Sequence, residues 1–230
     1  MLHLDQLTVT QGDFRLTADW RAEAGARIAV IGPSGAGKST LLSVIGGYFA
    51  ASSGRVLWDG VDLTRIEPGM RPITTVFQDQ NLFPHLTVAQ NLGLGISPSL
   101  RLSTVDHARI RDAMARVGLA GLDQRLPPQL SGGQQSRAAL ARALLRARPV
   151  LLLDEPFAAL GPALKADMLA LVAELAGESG ATVLMVTHDP KDAAHFAPLT
   201  CLVAGGVAHA PQPTADLLAN PPPELAAYLG

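Results

Sequence analysis

Apolar residues along this chain recur with two different spacings, and each spacing predicts a class of element. Near the start, short apolar runs bounded by turns predict a small antiparallel layer, with strands at residues 7–10, 14–20 and 27–31. Another strand is predicted at residues 55–58. Further along, unbroken apolar runs predict strands covered on both faces, at residues 73–77, 150–153, 182–187 and 199–204. The pattern therefore predicts a sheet that is antiparallel at first and parallel afterwards.

Helical spacing dominates the middle of the chain. A capping-box pattern at Ser103 predicts a helix that Gly118 stops, and Pro127-Pro128 precedes a second helix that ends near Arg146. Further helices are predicted from about residue 88, from Pro162 to about residue 178, and over 214–229 with a break at 221–223. Because the helical stretch interrupts a strand–helix alternation, we expect a helical subdomain at residues 79–138. It is inserted into a core with the β layer, at residues 1–78 and 139–230.

A glycine-rich loop joins the strand at 27–31 to the next helix. It matches the pattern G-x-x-x-x-G-K-S/T in a strand–loop–helix context, which is typical of a phosphate-binding loop. We call this loop the cradle, and its residues are Gly32, Pro33, Ser34, Gly35, Ala36, Gly37, Lys38, Ser39 and Thr40. Backbone N–H groups and a helix N-terminus can face one anion there. The sequence predicts that Lys38 reaches nucleotide phosphates, that Ser39 holds Mg²⁺, and that the fold is an α/β P-loop NTPase core.

Polar side chains follow three of the apolar runs. Gln78 ends the first, Asp154 and Glu155 end the second, and His188 ends the third. In a parallel sheet these ends share one edge with the cradle. Asp154 is suited to hold Mg²⁺ and Glu155 to polarise an attacking water, while Gln78 contacts the metal or that water and His188 orients the attack.

Charge and cysteine content narrow the classes of function. The 230 residues carry a formal charge of −2, which gives no general electrostatic reason to bind nucleic acid, and 48% are hydrophobic, which suits one globular domain. Cys201 is the single cysteine, so no disulfide forms within the chain and a reducing compartment is expected. No stretch approaches about 18 apolar residues and no export signal opens the chain, so we expect neither export nor membrane spanning.

The run Leu-Ser-Gly-Gly-Gln at residues 130–134 identifies a family whose members share the cradle and the polar strand ends. It resembles the signature motif of the ATP-binding-cassette (ABC) ATPases, and the resemblance also covers the cradle, Gln78, the acidic strand end, and His188 as the switch histidine of the family. In that family the signature binds ATP held by a second copy. The resemblance therefore implies a head-to-tail dimer with two ATP molecules, each contacted by a signature segment made of Ser131, Gly132, Gly133 and Gln134.

Two positions depart from the family pattern. The family usually has an early aromatic residue stacked on adenine, where this chain has Gln11, and Phe14 is the nearest aromatic substitute. After the acidic pair the family usually reads Ser-Ala-Leu-Asp, whereas residues 158–161 read Ala-Ala-Leu-Gly, so Gly161 replaces the aspartate that reaches across the dimer. The first position bears on adenine binding, and the second bears on communication between the two ATP sites.

Longer runs resemble the ATPase subunits of bacterial thiamine importers within this family. They are residues 81–95, Pro162-Ala163-Leu164 with Met168-Leu169, and Tyr228-Leu229-Gly230. The resemblance implies uptake of thiamine or its phosphates, transmembrane permease subunits as partners, a periplasmic solute-binding protein as an indirect partner, and a peripheral position on the cytoplasmic face of the inner membrane. We expect the apolar loop around Phe83 to receive a permease helix.

Three other functions are weighed against this one. An importer ATPase for iron, a polyamine or an amino acid keeps the chemistry and changes the cargo. A soluble ATP-driven clamp for nucleic-acid repair or cluster assembly predicts basic patches or a long coiled-coil insert, which this sequence lacks. A regulator that binds nucleotide without hydrolysing it is disfavoured by the presence of Glu155 and His188.

Overall fold

The computed structural model describes residues 1–79, 81–158 and 160–229. Two residues of runs discussed above, Ala159 and Gly230, lie outside the described residues. The strands in the described part are β1 (Leu2–Gln11), β2 (Phe14–Ala22), β3 (Arg27–Ile31), β4 (Ser53–Trp58), β5 (Val61–Asp62), β6 (Ile73–Val76), β7 (Val150–Asp154), β8 (Thr182–Val186), β9 (Leu199–Ala204), β10 (Val207–Ala208) and β11 (Gln212–Pro213). The α-helices there are α1 (Lys38–Gly46), α2 (Val88–Ile96), α3 (Thr104–Arg116), α4 (Gly132–Leu145), α5 (Pro162–Ser179), α6 (Pro190–Phe196), α7 (Thr214–Ala219) and α8 (Pro223–Leu229).

The strands form one sheet in the order β5-β4-β1-β2-β10-β9-β3-β8-β7-β6, with β11 beside β9. One half is antiparallel and comprises β1, β2, β4 and β5. The other half is parallel and comprises β9, β3, β8, β7 and β6. The short strand β10 joins the halves, because it runs parallel to β2 and antiparallel to β9. The predicted α/β class, with an N-terminal antiparallel layer and a mainly parallel sheet, is confirmed.

The parallel strands are mostly apolar because both faces of the sheet are covered, and the buried polar residues within them are threonines. In β7, Val150 and Leu152 belong to a cluster that includes α1 and the antiparallel layer. Leu151 and Leu153 point the other way and belong to a cluster with α4, α5 and α6. A strand with a partner on each face leaves little room for charged or amide side chains until it ends. The side chains with candidate chemistry therefore stand at the strand ends, as the sequence pattern predicted.

A third apolar cluster lies in the helical part of the chain. It is formed by buried residues of α2, α3, α4 and the segment between α3 and α4, among them Leu92, Ile110, Met114 and Leu119. Helix α4 is shared, since Ala138 and Ala141 face this cluster while Ala139 and Leu140 face the sheet. The division of the chain into a core and a subdomain at residues 79–138 remains a prediction, and α4 runs across its boundary.

Strand β1 is longer than predicted because it contains a bulge. Leu2, Leu4, Leu7 and Val9 are all buried, and the pairing register shifts between Leu4 and Leu7. Gln6 lies at the shift with a φ of 47°, so one extra residue breaks the alternation of apolar and polar positions. The alternation of apolar and polar residues therefore predicts only the part of β1 that follows the bulge.

Two strands follow the last one that the sequence pattern predicted, at residues 199–204. That strand is β9, and β10 and β11 follow it and pair with it. Each has two residues, which is too short for a period-2 pattern to show.

Cys201 lies on β9 and is completely buried. Burial raises the pKa of its thiol to about 12, so the side chain acts as a small apolar core residue. Across residues 1–79, 81–158 and 160–229, no helix combines the length and the hydropathy needed to cross a bilayer.

Candidate active site

The cradle forms a loop whose shape requires glycine at two positions. A side chain at Gly32 would place its Cβ 2.0 Å from the carbonyl oxygen of Val203 on β9. Gly37 has a φ of 103°, and a Cβ there would lie 2.7 Å from Cζ of Phe14. Gly37 immediately precedes α1, and no side chain caps the helix at that point. The first N–H groups of α1 are therefore left for an anion.

Lys38 is held inside the cradle by the loop itself. Its Nζ donates to the carbonyl oxygens of Gly32 and Pro33, at 2.8 Å each. Burial lowers the pKa of Lys38, although the nearby charges of Glu155 and Asp154 act in the opposite direction. The ammonium group is thus positioned at the loop that precedes the uncapped start of α1, as expected for a phosphate contact.

Ser39 and Asp154 meet where α1 faces the end of β7. The Ser39 hydroxyl donates to Oδ1 of Asp154 at 3.0 Å. The pKa of Asp154 is raised, chiefly by burial. The hydrogen bond from Ser39 acts in the opposite direction, and the charge of Glu155 adds to the rise. A partly buried carboxylate next to a hydroxyl offers the oxygen ligands that Mg²⁺ prefers.

Glu155 and His188 come together from two neighbouring strands. Nδ1 of His188 lies 3.1 Å from Oε2 of Glu155, and the side chains are 60% and 25% exposed, respectively. The backbone N–H of Glu155 donates to the carbonyl oxygen of Val186, at the end of β8, at 3.2 Å. Glu155 has a φ of 44°, an uncommon conformation for a residue with a side chain. Such outliers persist where the surroundings hold them, and they concentrate at active sites.

Gln78 lies in the turn after β6, at the same edge of the sheet, and is exposed. β6 neighbours β7, which carries Asp154. The structure therefore places Gln78 at the same edge as the other strand ends.

The signature segment begins α4. The side chain of Ser131 accepts a hydrogen bond from the N–H of Gln134 at 3.3 Å, and Oε1 of Gln134 accepts one from the N–H of Ser131 at 2.9 Å. Gly133 packs against Leu160, because a Cβ at Gly133 would lie 2.7 Å from Cδ2 of that leucine. Among the described residues, no hydrogen bond joins this segment to the cradle. The two predicted anion sites of the chain are thus separate structures.

Phe14 and Gln11 are paired across the hairpin that joins β1 to β2. Phe14 is half-buried, packs against the core cluster that includes α1, and places its ring next to Gly37. Gln11 is exposed. The structure thus puts the proposed aromatic substitute beside the cradle, while its stacking on a base remains a prediction.

Sequence reasoning missed the residue that shapes the apolar loop after β6. Asn91 on α2 is fully buried. Its Oδ1 accepts from the N–H of Phe83, and its Nδ2 donates to the carbonyl oxygens of Phe83, Leu86 and Thr87. A polar residue at a buried helical position was the available signal, because buried amides need partners of this kind.

A groove lies between this loop and the sheet. Its volume is about 280 Å³, and it is lined by aromatic and basic side chains that include Tyr48, Phe77, Phe83, Arg142 and Arg146. Tyr48 and Phe83 are 51% and 46% exposed. Burial lowers the pKa of Arg142, and the charge of Arg146 lowers it further. Among the described residues that line the groove, none is acidic.

The sequence of the chain is similar to those of known proteins of one family. The family model described as "ABC transporter" matches residues 17–158. The chain is 69% identical over 230 residues to the Thiamine import ATP-binding protein ThiQ of Cereibacter sphaeroides, and the match covers all of both chains. It is 56% identical over 230 residues to the protein of the same name from a Ruegeria species, again over all of both chains.

Among solved structures, the fold is similar to that of a dimeric cassette of a bacterial ABC transporter. The TM-score is 0.82 at 29% sequence identity, and the match covers 93% of this chain and 99% of that one. A second dimeric structure of the same cassette, in a post-hydrolysis state bound to ADP and Pi, matches with the same TM-score and coverage.

Proposed function

The chain belongs to the ABC transporter family of ATP-binding proteins, and on that premise we propose that it hydrolyses ATP to energise the import of thiamine or its phosphates. The cargo is inferred from the relatives named as thiamine import ATP-binding proteins, which match the whole chain at 69% and 56% identity. The contact between Glu155 and His188 supports hydrolysis as well as binding, because it places a carboxylate and an imidazole at the strand ends that adjoin the cradle.

In this proposal each described side chain has one task. The cradle N–H groups and Lys38 bind the phosphates of ATP. Ser39 and Asp154 would hold Mg²⁺, which neutralises phosphate charge and orients the γ-phosphate when bound. Glu155 accepts a proton from the attacking water, and His188 fixes the orientation of that carboxylate through the 3.1 Å contact. Gln78 lies at the same edge and would contact the metal or the water.

A second copy of the chain completes each site. The signature segment is separate from the cradle of its own chain, and the similar bacterial cassette is dimeric. We expect a head-to-tail dimer in which Ser131, Gly132, Gly133 and Gln134 of one copy contact ATP in the cradle of the other. Two ATP molecules then lie between the copies, and closure of the dimer is the step that drives the permease.

The groove beside Phe83 is the proposed docking surface for the permease. It offers the exposed aromatic side chains of Tyr48 and Phe83. A short helix with an apolar face fits this surface. The proposed location follows from this contact: the chain lies on the cytoplasmic face of the inner membrane, and a periplasmic solute-binding protein acts on the other side.

The docking proposal is tested with a charge placed in the groove. Phe83→Asp should abolish co-purification with the co-expressed permease subunits, because docking would bury an unpaired carboxylate. ATP hydrolysis by the isolated chain should stay within about twofold. Val105→Asp is the matched control, since Val105 is 69% exposed on α3 and does not line the groove. Loss of the complex in both variants, or in neither, would contradict docking at this groove.

The cargo is tested in cells that cannot make thiamine. Deleting the gene should stop growth on low external thiamine, the intact gene should restore growth, and the Lys38→Ala gene should not. Uptake of radiolabelled thiamine measures the same effect directly. Normal uptake without the protein would leave the ATPase in place and assign its cargo to another small solute.

A further inference from the structure

We propose that Lys165 is a positioning residue for ATP hydrolysis, because it ties α5 to the segment that carries His188. The inference rests on the proposed roles of Glu155 and His188. Lys165 lies in the first turn of α5, whereas residues 187–189 follow β8, so the contact links two separate parts of the active-site edge.

The contacts of Lys165 reach both neighbours of the histidine. Its Nζ lies 3.1 Å from Oδ2 of Asp192 and 3.4 Å from Oδ2 of Asp189. Asp192 also accepts a hydrogen bond from Oγ1 of Thr187 at 2.9 Å. Thr187 Oγ1 in turn accepts one from the N–H of Asp189 at 3.1 Å. Residues 187 and 189 are therefore fixed by one network, and His188 stands between them.

This network is more enclosed than an ordinary surface ion pair. The side chains of Lys165 and Asp192 are 18% and 13% exposed. Arg116 and its partner Glu174, which join α3 to α5, are 34% and 59% exposed. Burial acts to lower the pKa of Lys165, but the hydrogen bond and charge of Asp192 and those of Asp189 outweigh it, so the pKa is raised. Removing the lysine would leave a largely buried carboxylate without its cation.

The network and the contact between Glu155 and His188 border the same cavity. Lys165, Asp192, Glu155 and His188 line one small cavity of about 10 Å³, enough for no more than a single water molecule. Helix α5 begins directly after Gly161, the position where the family usually has its cross-dimer aspartate. A shift of α5 is therefore passed to the residues around His188 through Lys165, although the usual carboxylate at position 161 is missing.

The test compares three lysine variants of the whole chain in a steady-state ATPase assay. Lys165→Met keeps much of the apolar stem and should lower kcat by about 10- to 100-fold, the range expected for a misplaced catalytic group. The KM for ATP should change by less than about twofold, because the cradle is untouched. Lys165→Arg should recover most of kcat. Lys191→Met is the control, since Lys191 is exposed in the same segment and its side chain makes no hydrogen bond among the described residues.

A second variant guards against a folding defect. Asp192→Asn keeps the side-chain volume and removes its charge, and it should lower kcat as Lys165→Met does. The double variant should be no slower than either single one, because both break the same contact. Thermal melting checks that each protein is folded at the assay temperature.

Two results would overturn the role of Lys165. One is a kcat for Lys165→Met equal to that of the parent, and the other is an equal loss in Lys191→Met. Neither affects the proposed function, which fails separately if Glu155→Gln hydrolyses ATP at the parental rate.

Discussion

Two helices of this molecule begin at segments predicted to bind phosphate, but they begin in different ways. α1 follows Gly37, which provides no side chain to cap the helix. α4 follows Ser131, whose hydroxyl accepts from the N–H of Gln134 while the Gln134 side chain accepts from the N–H of Ser131. The first helix start therefore leaves its donors for an anion, and the second satisfies two of its own donors.

This difference indicates two roles. The cradle binds ATP on its own chain, and the signature segment completes the ATP site of a second copy. A phosphate at the cradle meets uncapped N–H groups and the ammonium of Lys38, whose Nζ is already fixed by two carbonyl oxygens. A phosphate at the signature segment competes with a capping box, and no lysine stands in that segment. We expect the cradle to hold ATP in a single chain, and the signature segment to contribute after ATP on a second copy reaches it.

Glu155→Gln gives the largest effect expected from this comparison. Hydrolysis should fall by about 10²–10⁴-fold, the usual cost of losing a positioned base, while the cradle still binds ATP. Because ATP is not consumed, the signature segment should remain engaged, and a dimer should accumulate. Size-exclusion chromatography with ATP and Mg²⁺ detects it. A variant that stays monomeric and hydrolyses ATP at the parental rate would contradict the assignment of Glu155.

The two helix starts are compared directly by substituting one residue at each. Lys38→Ala should weaken ATP binding to the isolated chain by about 10- to 100-fold, since a hydrogen bond to a charged group is lost. Ser131→Ala should leave that affinity unchanged and lower the ATP-dependent dimer fraction. Calorimetry measures the first effect and light scattering the second.

A control is needed because Ser131→Ala also removes a helix cap, at a cost of about 1 kcal/mol. Ser103→Ala provides it, since Ser103 forms the same capping box at the start of α3, outside the proposed ATP sites. An equal loss of dimer in Ser103→Ala would mean that capping, and not the signature contact, explains the result.

Gln11→Tyr tests whether the ATP site discriminates between adenine and guanine. If Phe14 does not stack on adenine, the parent should bind ATP and GTP with similar affinity, and the new aromatic ring should tighten ATP by about 1 kcal/mol, or about fivefold. Titration of both nucleotides decides this. A strong preference of the parent for ATP that Phe14→Ala removes would instead assign the stacking to Phe14.

The smallest effect is expected at Gly161. The position has a φ of −66° and open space around its Cβ, so a side chain fits there, and it is the N-cap of α5. Gly161→Asp and Gly161→Ser should each add a few tenths of a kcal/mol to stability by capping that helix. If the loop crosses the dimer, the aspartate alone should change the Hill coefficient for ATP. Equal Hill coefficients in both variants would show that position 161 acts only as a helix cap.

The parts of the molecule that the sequence predicts are those encoded by local patterns. The glycines of the cradle, the apolar strands and the polar residues at their ends are each visible in a few consecutive letters. The bulge at Gln6 was missed because a single inserted residue breaks the alternation that defines a strand. The network of Lys165 was missed because its members are about 25 residues apart and look like ordinary surface charges until α5 and the end of β8 are seen together.

Cys201 has a practical consequence. Its thiol is fully enclosed, and burial also raises its pKa, so we expect it to be protected from maleimides at neutral pH. A cysteine introduced at an exposed position outside the proposed ATP sites, such as Val105 on α3, would then be the sole labelling site. Fluorophore pairs attached this way could follow the approach of two copies in real time, with every native core residue left in place.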